Sequence, residues 1–437
     1  MTYRCLFAAL LSGALLLSLS ACDDSSTVGL GVGGPDSLAD GRPTAVSALP
    51  DTFDTFTSVD VTSQVATSPD SIPSNGHRIL VGTVTDPLVG TIATRGHIDF
   101  RQPANIGGFE SIEGINLVLQ TEYRYGDTTG VQTIDVREAD MEIESGWTAD
   151  EEGISVGNVL TSFNLAAEDT VVTVPLPSNW VDLNGPRFFS TSSGNNAYDA
   201  LFEGLVLTTQ SGNRVTGFDR ESSFLEIAYR PDSASQDTIE FTGAKSFTHI
   251  ERTSTASTPP GRKLLLDGIG TGLVTSFDFS AEPFASLGLV PVNRAELNLP
   301  IDSTTVSQST PANFVRPDPE GLFLRAQVAE DRRNVTNTGE LALCRGLGLQ
   351  TTIESSCLIN LATSSASLRG PNSQMRLLVE ESISAEYGAA KDTPLFDKYI
   401  LEQIAGEPTI TPLLLFAPVE NSSNPNPQLQ VTVVPQE

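Results

Sequence analysis

The sequence predicts an all-β protein built from two tandem antiparallel β-sandwich domains. Three observations indicate this fold class. Short apolar runs recur along the chain and are separated by Gly, Pro, Asn and Asp, the residues that form turns. The longest run, Ile115–Tyr125, alternates apolar and polar side chains with the period of two expected for a half-buried strand. A weak internal repeat also divides the chain into two similar parts.

The first 21 residues have the composition of a signal peptide. Arg4 supplies a positive charge, and the apolar run over residues 5–19 has about 15 residues, whereas a membrane-spanning helix needs roughly 20. The next residues complete the sequence LSAC, which resembles the lipobox of bacterial lipoproteins. This resemblance predicts cleavage after Ala21 and lipidation of Cys22. The alternative is an ordinary secretory signal in which Cys22 is incidental.

Residues 22–42 are predicted to be the lipidated cysteine followed by a flexible tether. Gly29, Gly31 and Gly34 match the pattern G-x-G-x-x-G, but a dinucleotide site needs a strand before that pattern and a helix after it. Here the lipid anchor precedes the glycines and Pro35 follows them, so we interpret the segment as a linker. At about 5–6 Å times the square root of residue number, it would hold the body roughly 25 Å from the bilayer.

The charge balance is strongly acidic and excludes some partners. Asp and Glu number 54 against 25 Lys and Arg, which gives a net charge of -29. This charge argues against nucleic acid or an anionic membrane face as a partner, because both are polyanionic. The acid excess and the scarcity of lysine resemble proteins of salt-loving bacteria. Attachment to the membrane is therefore predicted through the N-terminal lipid alone.

Two cysteines remain once Cys5 leaves with the signal peptide and Cys22 is lipidated. Cys344 and Cys357 lie close together in a chain predicted to reach an oxidising compartment, and we predict a disulfide between them. Closing a loop of this size stabilises a fold by ~3 kcal/mol in the chain-entropy model. The alternative is a pair of independent buried thiols.

The body is predicted to comprise a first β-sandwich domain over residues 43–230 and a second over residues 231–437. Strand-like runs in the first are RILVGTVT, GHIDF, INLVLQTEYRY, QTIDV, TVVTVPL, GLVLTT and SFLEIAY. Those in the second are KLLLDGI, LVTSFDF, AELNLPI, LFLRAQV, MRLLVEE, PLLLFAP and LQVTVV. The segment RPDSASQD, residues 230–237, has the composition of a linker. The best helix candidate is Thr393–Ala405, with Pro394 at its start and Gly406 after its end.

The internal repeat has the same order of elements in both halves. HRILVGTVTDPLVGTIATRGHIDF, from His77, is echoed by RKLLLDGIGTGLVTSFDF, from Arg262. A strongly patterned strand follows each copy, INLVLQTEY in the first half and NRAELNLPI in the second. Each half then ends on an alternating strand, SSFLEIAY or NPQLQVTVV. The order predicts two related sandwich domains.

Several of these motifs resemble known families. The lipobox, LVGTVTDPLVG, LVPVNRAELNLPI and NSSNPNPQLQVTV are similar to Bacteroidota-type envelope lipoproteins of domain-of-unknown-function family four-two-seven-zero. The stretch from Asn116 through Trp147 to SFLEIAY resembles the jelly-roll module of DNRLRE-type cell-surface proteins. The resemblance implies a jelly-roll-like lipoprotein of the envelope and brings no catalytic residues with it. The glycine-rich stretch Val28–Gly41 is longer than the family pattern.

The sequence offers no pattern for a catalytic or metal site. His77, His97 and His249 have no zinc-binding spacing, and neither a G-x-S-x-G elbow nor a P-loop is present. We therefore predict no catalytic residues, no metal site and no cofactor.

Two acidic segments leave alternatives open. Trp147, in MEIESGWTADEEG, is a candidate sugar-stacking residue, while a tryptophan at a sandwich edge explains it as well. Asp51, Asp54 and Asp60, in DTFDTFTSVD, could bind a structural calcium ion. They lack the EF-hand spacing, however, and strand alternation accounts for them equally.

These features predict a membrane-anchored envelope lipoprotein with a non-catalytic binding, adhesion or assembly role. The expected location is the outer membrane or the cell surface rather than the inner membrane, and the expected partner is an envelope protein or a glycan. The alternative is a polysaccharide-acting hydrolase on a β-sandwich scaffold, because such an enzyme needs only two carboxylates at a defined separation.

Overall fold

Antiparallel strands dominate the computed structural model, and the predicted all-β sandwich fold is confirmed. Within the described residues, the strands form a ten-stranded sheet, two five-stranded sheets and a two-stranded sheet. We call the ten-stranded sheet apart from residues 314–315, together with the helical segment of residues 178–201, the first unit. The second unit comprises the other three sheets and residues 303–318 and 372–387, of which residues 314–315 pair with the edge of the ten-stranded sheet. The structure describes residues 43–57, 78–104, 106–142, 156–191, 197–231, 235–266, 271–288, 291–318, 322–328, 356–360, 362–363, 367–369, 372–387, 395–403, 409–420 and 423–434.

The elements follow the chain in this order. The strands are β1 (Thr44–Ala48), β2 (Thr52–Thr57), β3 (Arg78–Asp86), β4 (Gly90–Arg101), β5 (Ser111–Asp127), β6 (Gln132–Ala139), β7 (Val156–Leu165), β8 (Val171–Pro175), β9 (Leu205–Ser211), β10 (Arg214–Arg230), β11 (Asp237–Thr255), β12 (Arg262–Leu266), β13 (Thr271–Ser276), β14 (Val292–Pro300), β15 (Phe314–Val315), β16 (Leu322–Val328), β17 (Ser356–Asn360), β18 (Ala362–Thr363), β19 (Ser367–Arg369), β20 (Phe396–Gln403), β21 (Pro412–Phe416) and β22 (Gln428–Val433). The helices are α1 (Ser178–Asn184), the 3-10 helix η1 (Gly185–Phe189), α2 (Tyr198–Leu201), α3 (Ser303–Gln308) and α4 (Asn372–Tyr387).

The first unit closes on itself through strands that change partner along their length. The hydrogen-bonded order of the ten-stranded sheet is β15-β5-β10-β11-β4-β9-β6-β7, with β3 joined to β10 and β4, and β8 joined to β5. Strand β10 pairs with β3 through Arg214–Asp219 and with β11 through Phe224–Tyr229. Because β11 pairs with β4 and β4 pairs with β3, these four strands form a closed circuit.

A helical segment contributes aromatic side chains to the core of the first unit. Trp180 of α1, Phe188 of η1 and Tyr198 of α2 belong to the same buried cluster as Leu117 and Ile227 of the sheet. The ring of Phe188 lies at centroid distances of 4.9 to 6.3 Å from four other aromatic rings of this cluster. Such side chains bury large apolar areas and therefore dominate the stability of the unit.

The second unit combines two five-stranded sheets, a two-stranded sheet and one long helix. Its sheets have the strand orders β1-β22-β14-β19-β18 and β17-β16-β20-β13-β2, with β12 paired to β21. Helix α4 packs against β14 and β20. Its buried positions Met375, Leu378, Val379, Ser382 and Ile383 recur at the three- and four-residue spacing of one helix face.

The central pairing of the internal repeat is the same in both units. In the first unit the patterned strand β5 pairs antiparallel with the closing strand β10, with Ile115 opposite Ile227. In the second unit the corresponding strands β14 and β22 also pair antiparallel, with Leu297 opposite Leu429. The echoed segments differ, because β3 and β4 pair with each other whereas β12 pairs with β21 and β13 with β2 and β20.

The sheets group the strands differently from the predicted domains of residues 43–230 and 231–437. Strands β10 and β11 are hydrogen-bonded neighbours, with Tyr229 opposite Asp237, so RPDSASQD connects two strands of one sheet rather than two domains. Strands β1 and β2 pair with β22 and β13, so the segment after the predicted tether belongs to the second unit. The N-terminal strands β1 and β2 thus join sheets formed by C-terminal strands, an arrangement that we call the strand exchange. Because the paired residues are far apart in the sequence, local composition does not predict it.

The predicted helix Thr393–Ala405 is wrong over its described part. Residues 396–403 form β20, which lies between β16 and β13 in a sheet, with Leu401 opposite both Leu324 and Leu273. The strand predicted at MRLLVEE is also wrong, since it lies within α4. Both runs are short and apolar, and periodicity alone does not separate a buried strand from a helix. Burial of Phe396 and Tyr399 between neighbouring strands decides in favour of the strand.

Candidate functional site

The two units share a third buried core at the junction between them. The first unit contributes residues from β3 to β5, β10 and β11, and the second contributes residues from β12, β21 and the segment before β21. Because the apolar side chains of both units are buried together, the junction is a packed interface rather than a linker. The buried members are Leu80, Val84, Leu88, Val89, Ile92, Tyr123, Tyr125, Val215, Ile250, Leu264, Leu266, Ile410 and Leu414.

A buried ion pair crosses this junction. Arg316 donates from Nε and Nη2 to the two carboxylate oxygens of Asp86, at 2.6 and 2.7 Å. The side chains of Arg316 and Asp86 are 5% and 0% exposed, so water does not screen the pair. The Tyr125 hydroxyl and the Leu88 amide also donate to Asp86, both at 2.7 Å. The carboxylate is therefore fully satisfied, as a buried charge requires.

These contacts set the protonation states at the junction. Burial raises the pKa of Asp86, but the hydrogen bonds from Arg316, Tyr125 and Leu88 outweigh that effect and hold the pKa below its usual value. Burial and the neighbouring Asp86 carboxylate raise the pKa of the Tyr125 hydroxyl. Asp86 is therefore ionised and Tyr125 neutral at neutral pH.

Arg316 also fixes the short helix α3. Its Nη1 donates to the Val306 carbonyl at 2.5 Å and to the Thr310 hydroxyl at 2.6 Å, at the C-terminal end of the helix. At the other end, Asp302 accepts a hydrogen bond from the Thr305 amide at 2.9 Å, which is an N-cap. One arginine thus joins β3 of the first unit to α3 of the second.

A second polar contact crosses the junction nearby. The Tyr123 hydroxyl on β5 donates to the Ile410 carbonyl at 2.8 Å and accepts from the Ile410 amide at 3.1 Å. The ring of Tyr123 lies 5.1 Å below the guanidinium carbon of Arg78, whose Nε donates to Glu122 at 2.8 Å. The backbone of the segment before β21 is therefore held by a side chain of the first unit.

A groove of about 660 Å³ opens beside this ion pair. It lies among α3, β15 and β21, and its lining is mostly apolar. Arg316 contributes to the wall, but its donors are already bound to Asp86 and to α3. The exposed Asp318 carboxylate also lines the groove, so apolar contact, shape and this charge together determine what it can bind. Six of the residues that line it are Val306, Ser307, Phe314, Val315, Pro412 and Leu413.

A second candidate site is a group of ionisable side chains around Lys245 in the first unit. Lys245 lies opposite Asp99 in the register of β11 and β4. Its ammonium group forms an ion pair with Glu142. Burial raises the pKa of Asp99 to about 6, with Asp199 and Glu142 adding to the effect. Asp99 therefore carries its proton at mildly acidic pH.

Buried polar atoms without partners among the described residues accompany this group. His97 is fully buried, and its Nε2 donates to the Glu203 carbonyl at 2.9 Å while Nδ1 has no partner. Burial lowers the pKa of His97 to about 4, so the ring is neutral at neutral pH. The Tyr198 hydroxyl and the Glu203 Oε2 are also buried without partners, and burial raises the pKa of Glu203. Shifted pKa values of this kind are frequent where acid–base chemistry occurs, but also in structural networks.

The residues predicted as sites lie mainly outside the described part of the chain. Ala21, Cys22, Trp147 and Cys344 all fall there, so lipidation, sugar stacking and the disulfide stay predictions. The backbone of Cys357 is described, and this residue lies on β17 opposite Ala326 of β16.

The two described calcium-ligand candidates, Asp51 and Asp54, each bind a different group of the protein. Asp51 accepts a hydrogen bond from the Asp278 amide at 2.6 Å, and Asp54 pairs with Lys263 at 2.8 Å. Asp60 lies outside the described residues. Among the residues described, no three His, Cys, Asp or Glu side chains are grouped so that they could hold a metal ion. No described helix is long and apolar enough to cross a membrane.

Sequence reasoning missed the residues of the junction. Neither Arg316 nor Asp86 is among the candidate site residues of the sequence, and Asp86 lies within the repeat segment HRILVGTVTDPLVGTIATRGHIDF. One signal was available, since Asp followed by Pro favours a side chain that bonds to the turn backbone, as Asp86 does with Leu88. The pairing of Asp86 with Arg316, 230 positions apart, has no local signal.

Fold and junction together define an all-β sandwich protein whose two units are joined by a buried core. No protein-family model matches the chain. A search of curated proteins likewise found no match.

Proposed function

We propose that the chain is a lipid-anchored lipoprotein of the bacterial envelope with a non-catalytic binding or assembly role at the outer membrane or the cell surface. The observation that carries the proposal is the sequence LSAC at residues 19–22, followed by a glycine-rich tether. Two or more acyl chains give stable membrane attachment, whereas one gives only marginal binding. The resemblance of the motifs LVGTVTDPLVG and NSSNPNPQLQVTV to envelope lipoproteins of domain-of-unknown-function family four-two-seven-zero, and of SFLEIAY to DNRLRE-type modules, is part of this proposal and rests on the sequence alone.

The geometry of the junction supports binding rather than catalysis at the groove. Arg316 and Asp86 neutralise each other, and the remaining lining is largely apolar, with a few hydroxyl groups and the exposed Asp318 carboxylate. Such a surface recognises a ligand by shape and desolvation. An envelope glycan or an extended protein segment is the class of partner that an exported, tethered body meets.

The anchoring is tested by metabolic labelling with radioactive palmitate. Cys22→Ala is expected to abolish incorporation of label, because serine or alanine cannot form the thioether. Cys357→Ala is the matched control and should incorporate label like the wild type, since this cysteine lies outside the lipobox. Unchanged labelling of Cys22→Ala would contradict the proposal.

Binding is tested with the mature chain in detergent against panels of envelope glycans and extended peptides. Ser307→Trp places a large side chain in the groove and should remove retention of any ligand that the wild type binds there. Asn426→Ala is the control, because Asn426 does not line the groove and its side chain is hydrogen-bonded to Val419. Equal retention by wild type and Ser307→Trp would exclude the groove as the binding site.

A specific observation also favours a second candidate, the polysaccharide-acting hydrolase. Asp99 retains its proton to a pH of about 6 while other carboxylates lie around Lys245. Carboxyl groups whose environments separate their pKa values can act as general acid and base. Incubation with the glycan panel distinguishes the candidates, because cleavage that Asp99→Asn abolishes supports the hydrolase and retention without cleavage supports the binding protein.

A further inference from the structure

A second pocket, of about 440 Å³, lies apart from the groove and is lined by cations and hydroxyl groups. It is formed where β2, β12 and β13 of the second unit meet the end of β11. Among the described residues, no carboxylate lines it, although acidic residues outnumber basic ones 54 to 25 in the chain. Its polar lining residues are Thr55, Arg252, Thr258, Arg262, Lys263 and Thr271.

Arg252 is the cation in this pocket that lacks an acidic partner among the described residues. Its guanidinium donates from Nε and Nη2 to the Val89 carbonyl, which fixes the group but does not neutralise it. The side chain is half-buried, and burial lowers the pKa of Arg252. A partly desolvated charge of this kind gains free energy from a counter-ion.

Arg262 is held in place by contacts that leave its charge close to the pocket. Its Nε binds Asp302, and its guanidinium carbon lies 4.0 Å above the ring of Phe416. Stacking on an aromatic ring orients the planar guanidinium group. Asp302 is not part of the pocket lining, so a ligand meets the arginine rather than the carboxylate.

Lys263 supplies a third cation with a weak internal partner. Its ammonium group lies 2.8 Å from Asp54, whose side chain is 70% exposed. Exposed ion pairs contribute about 0–1 kcal/mol, so a ligand can replace Asp54 at little cost. The hydroxyl groups of Thr55 and Thr258 add hydrogen-bond donors to the lining, while the Thr271 hydroxyl is bound to the backbone of Leu266.

We propose that this pocket binds an oxyanion, namely the carboxylate, sulfate or phosphate group of an anionic ligand. Arginine forks and hydroxyl donors match the oxygen atoms of such groups, and the bonds are charge-assisted. The pocket is large enough for the anionic group together with one attached ring. The inference does not rest on the lipid anchor or on the groove beside Arg316.

Equilibrium dialysis of the full mature chain with radiolabelled sulfate, phosphate or acetate tests the site. Ionic strength is kept constant with sodium chloride, so that general screening does not change between samples. We expect saturable binding of at least one anion to the wild type. Arg252→Gln and Lys263→Gln should each bind it about tenfold more weakly, the loss that follows from removing one charge-assisted hydrogen bond.

Lys398→Gln is the matched control, because Lys398 is an exposed lysine on β20 outside the pocket. It should bind the anion like the wild type. If Arg252→Gln does not fold, Lys263→Gln decides the test, since its side chain makes only an exposed contact. Absence of saturable binding of all three anions, or equal binding by wild type and Lys263→Gln, would overturn the proposal. A preference among the three anions identifies the type of group that the ligand carries.

Discussion

At the scale of single residues, the junction depends on the buried Asp86–Arg316 pair. Arg316→Met leaves the buried Asp86 carboxylate without its counter-ion, so we expect the free energy of unfolding to fall by about 3–5 kcal/mol. Denaturant titration measures the loss. The double variant Asp86→Asn/Arg316→Met should lose less than the sum of the single variants, because no charge stays unpaired. Additive losses would show that the two side chains do not act as a pair.

Arg294→Met is the control for this prediction. Arg294 pairs with Glu296 at 2.6 Å, but its side chain is 53% exposed. Removing an exposed pair costs about 0–1 kcal/mol. A loss as large as that of Arg316→Met would mean that burial does not determine the effect.

The Asp86–Arg316 pair also predicts that the free energy of unfolding depends on pH in the acidic range. The pKa of Asp86 is lower in the folded chain than its unfolded value of about 3.9. The contribution of ionised Asp86 to the free energy of unfolding is therefore complete above the unfolded pKa. It is lost as pH falls through the folded pKa. Below pH about 4, unfolding free energy should decrease more steeply in the wild type than in Asp86→Asn/Arg316→Met. Parallel acid slopes would contradict this assignment.

Asp99 predicts the opposite sign of pH dependence. Burial raises its pKa to about 6, above the unfolded value of about 3.9. Between these values the folded state binds more protons than the unfolded state, so stability falls as pH rises. Asp99→Asn should flatten this part of the profile and increase stability at pH 7 by up to about 2 kcal/mol. Asp237→Asn, at an exposed hairpin, should leave the profile unchanged, and an unchanged profile for Asp99→Asn would refute the prediction.

Sequence patterns identified types of residue at this scale but not their partners. The charge excess and the turn chemistry around Asp86 were readable, because both depend on composition or on adjacent residues. The contacts of Arg316 and Tyr123 were not, since each joins residues more than 200 positions apart. The raised pKa of Asp99 also depends on burial, which the local sequence does not specify.

At the scale of elements, helix α4 is attached to β20 by one buried side chain. The Ser382 hydroxyl donates to the Leu378 carbonyl at 2.8 Å and accepts from the Phe396 amide at 3.0 Å. Ser382→Ala leaves that amide buried without a partner, which should lower the free energy of unfolding by about 1–3 kcal/mol. Ser384→Ala on the same helix is the matched control and should cost little. Equal stabilities of the two variants would show that the Ser382 contact is not needed.

Strands with clear alternation were predictable, and buried ones were not distinguished from helices. In β5, Leu117 and Leu119 face the core between half-buried Asn116, Val118 and Gln120, so the period of two is visible. In β20 the consecutive residues Tyr399, Ile400 and Leu401 are all buried, and the alternation disappears. Helix α4 was not predicted, because a polar residue, Ser382, occupies one of the buried positions on its apolar face. The apolar pattern expected of a buried helix face is therefore interrupted.

At the scale of the whole molecule, the sequence predicted an all-β sandwich fold but not which strands belong to each sheet. The repeat placed a patterned strand and a closing strand in each half, and the structure pairs β5 with β10 and β14 with β22. The strand exchange of β1 and β2 into the second unit is a long-range pairing without local signal. In the proposed lipoprotein, the tether therefore leads directly into the strands that complete the second unit.

The strand exchange predicts that a residue near the N-terminus controls the stability of the C-terminal sheets. Phe53 of β2 is buried in the core of the second unit, so Phe53→Ala should lower the free energy of unfolding by about 3–5 kcal/mol. Amide hydrogen exchange should show the loss of protection in β13, which adjoins β2, and in β20, which is the next strand of the same sheet. Leu49→Ala, between β1 and β2 and 38% exposed, is the control. Unchanged protection of β13 in Phe53→Ala would mean that the N-terminal strands are not an integral part of the second unit.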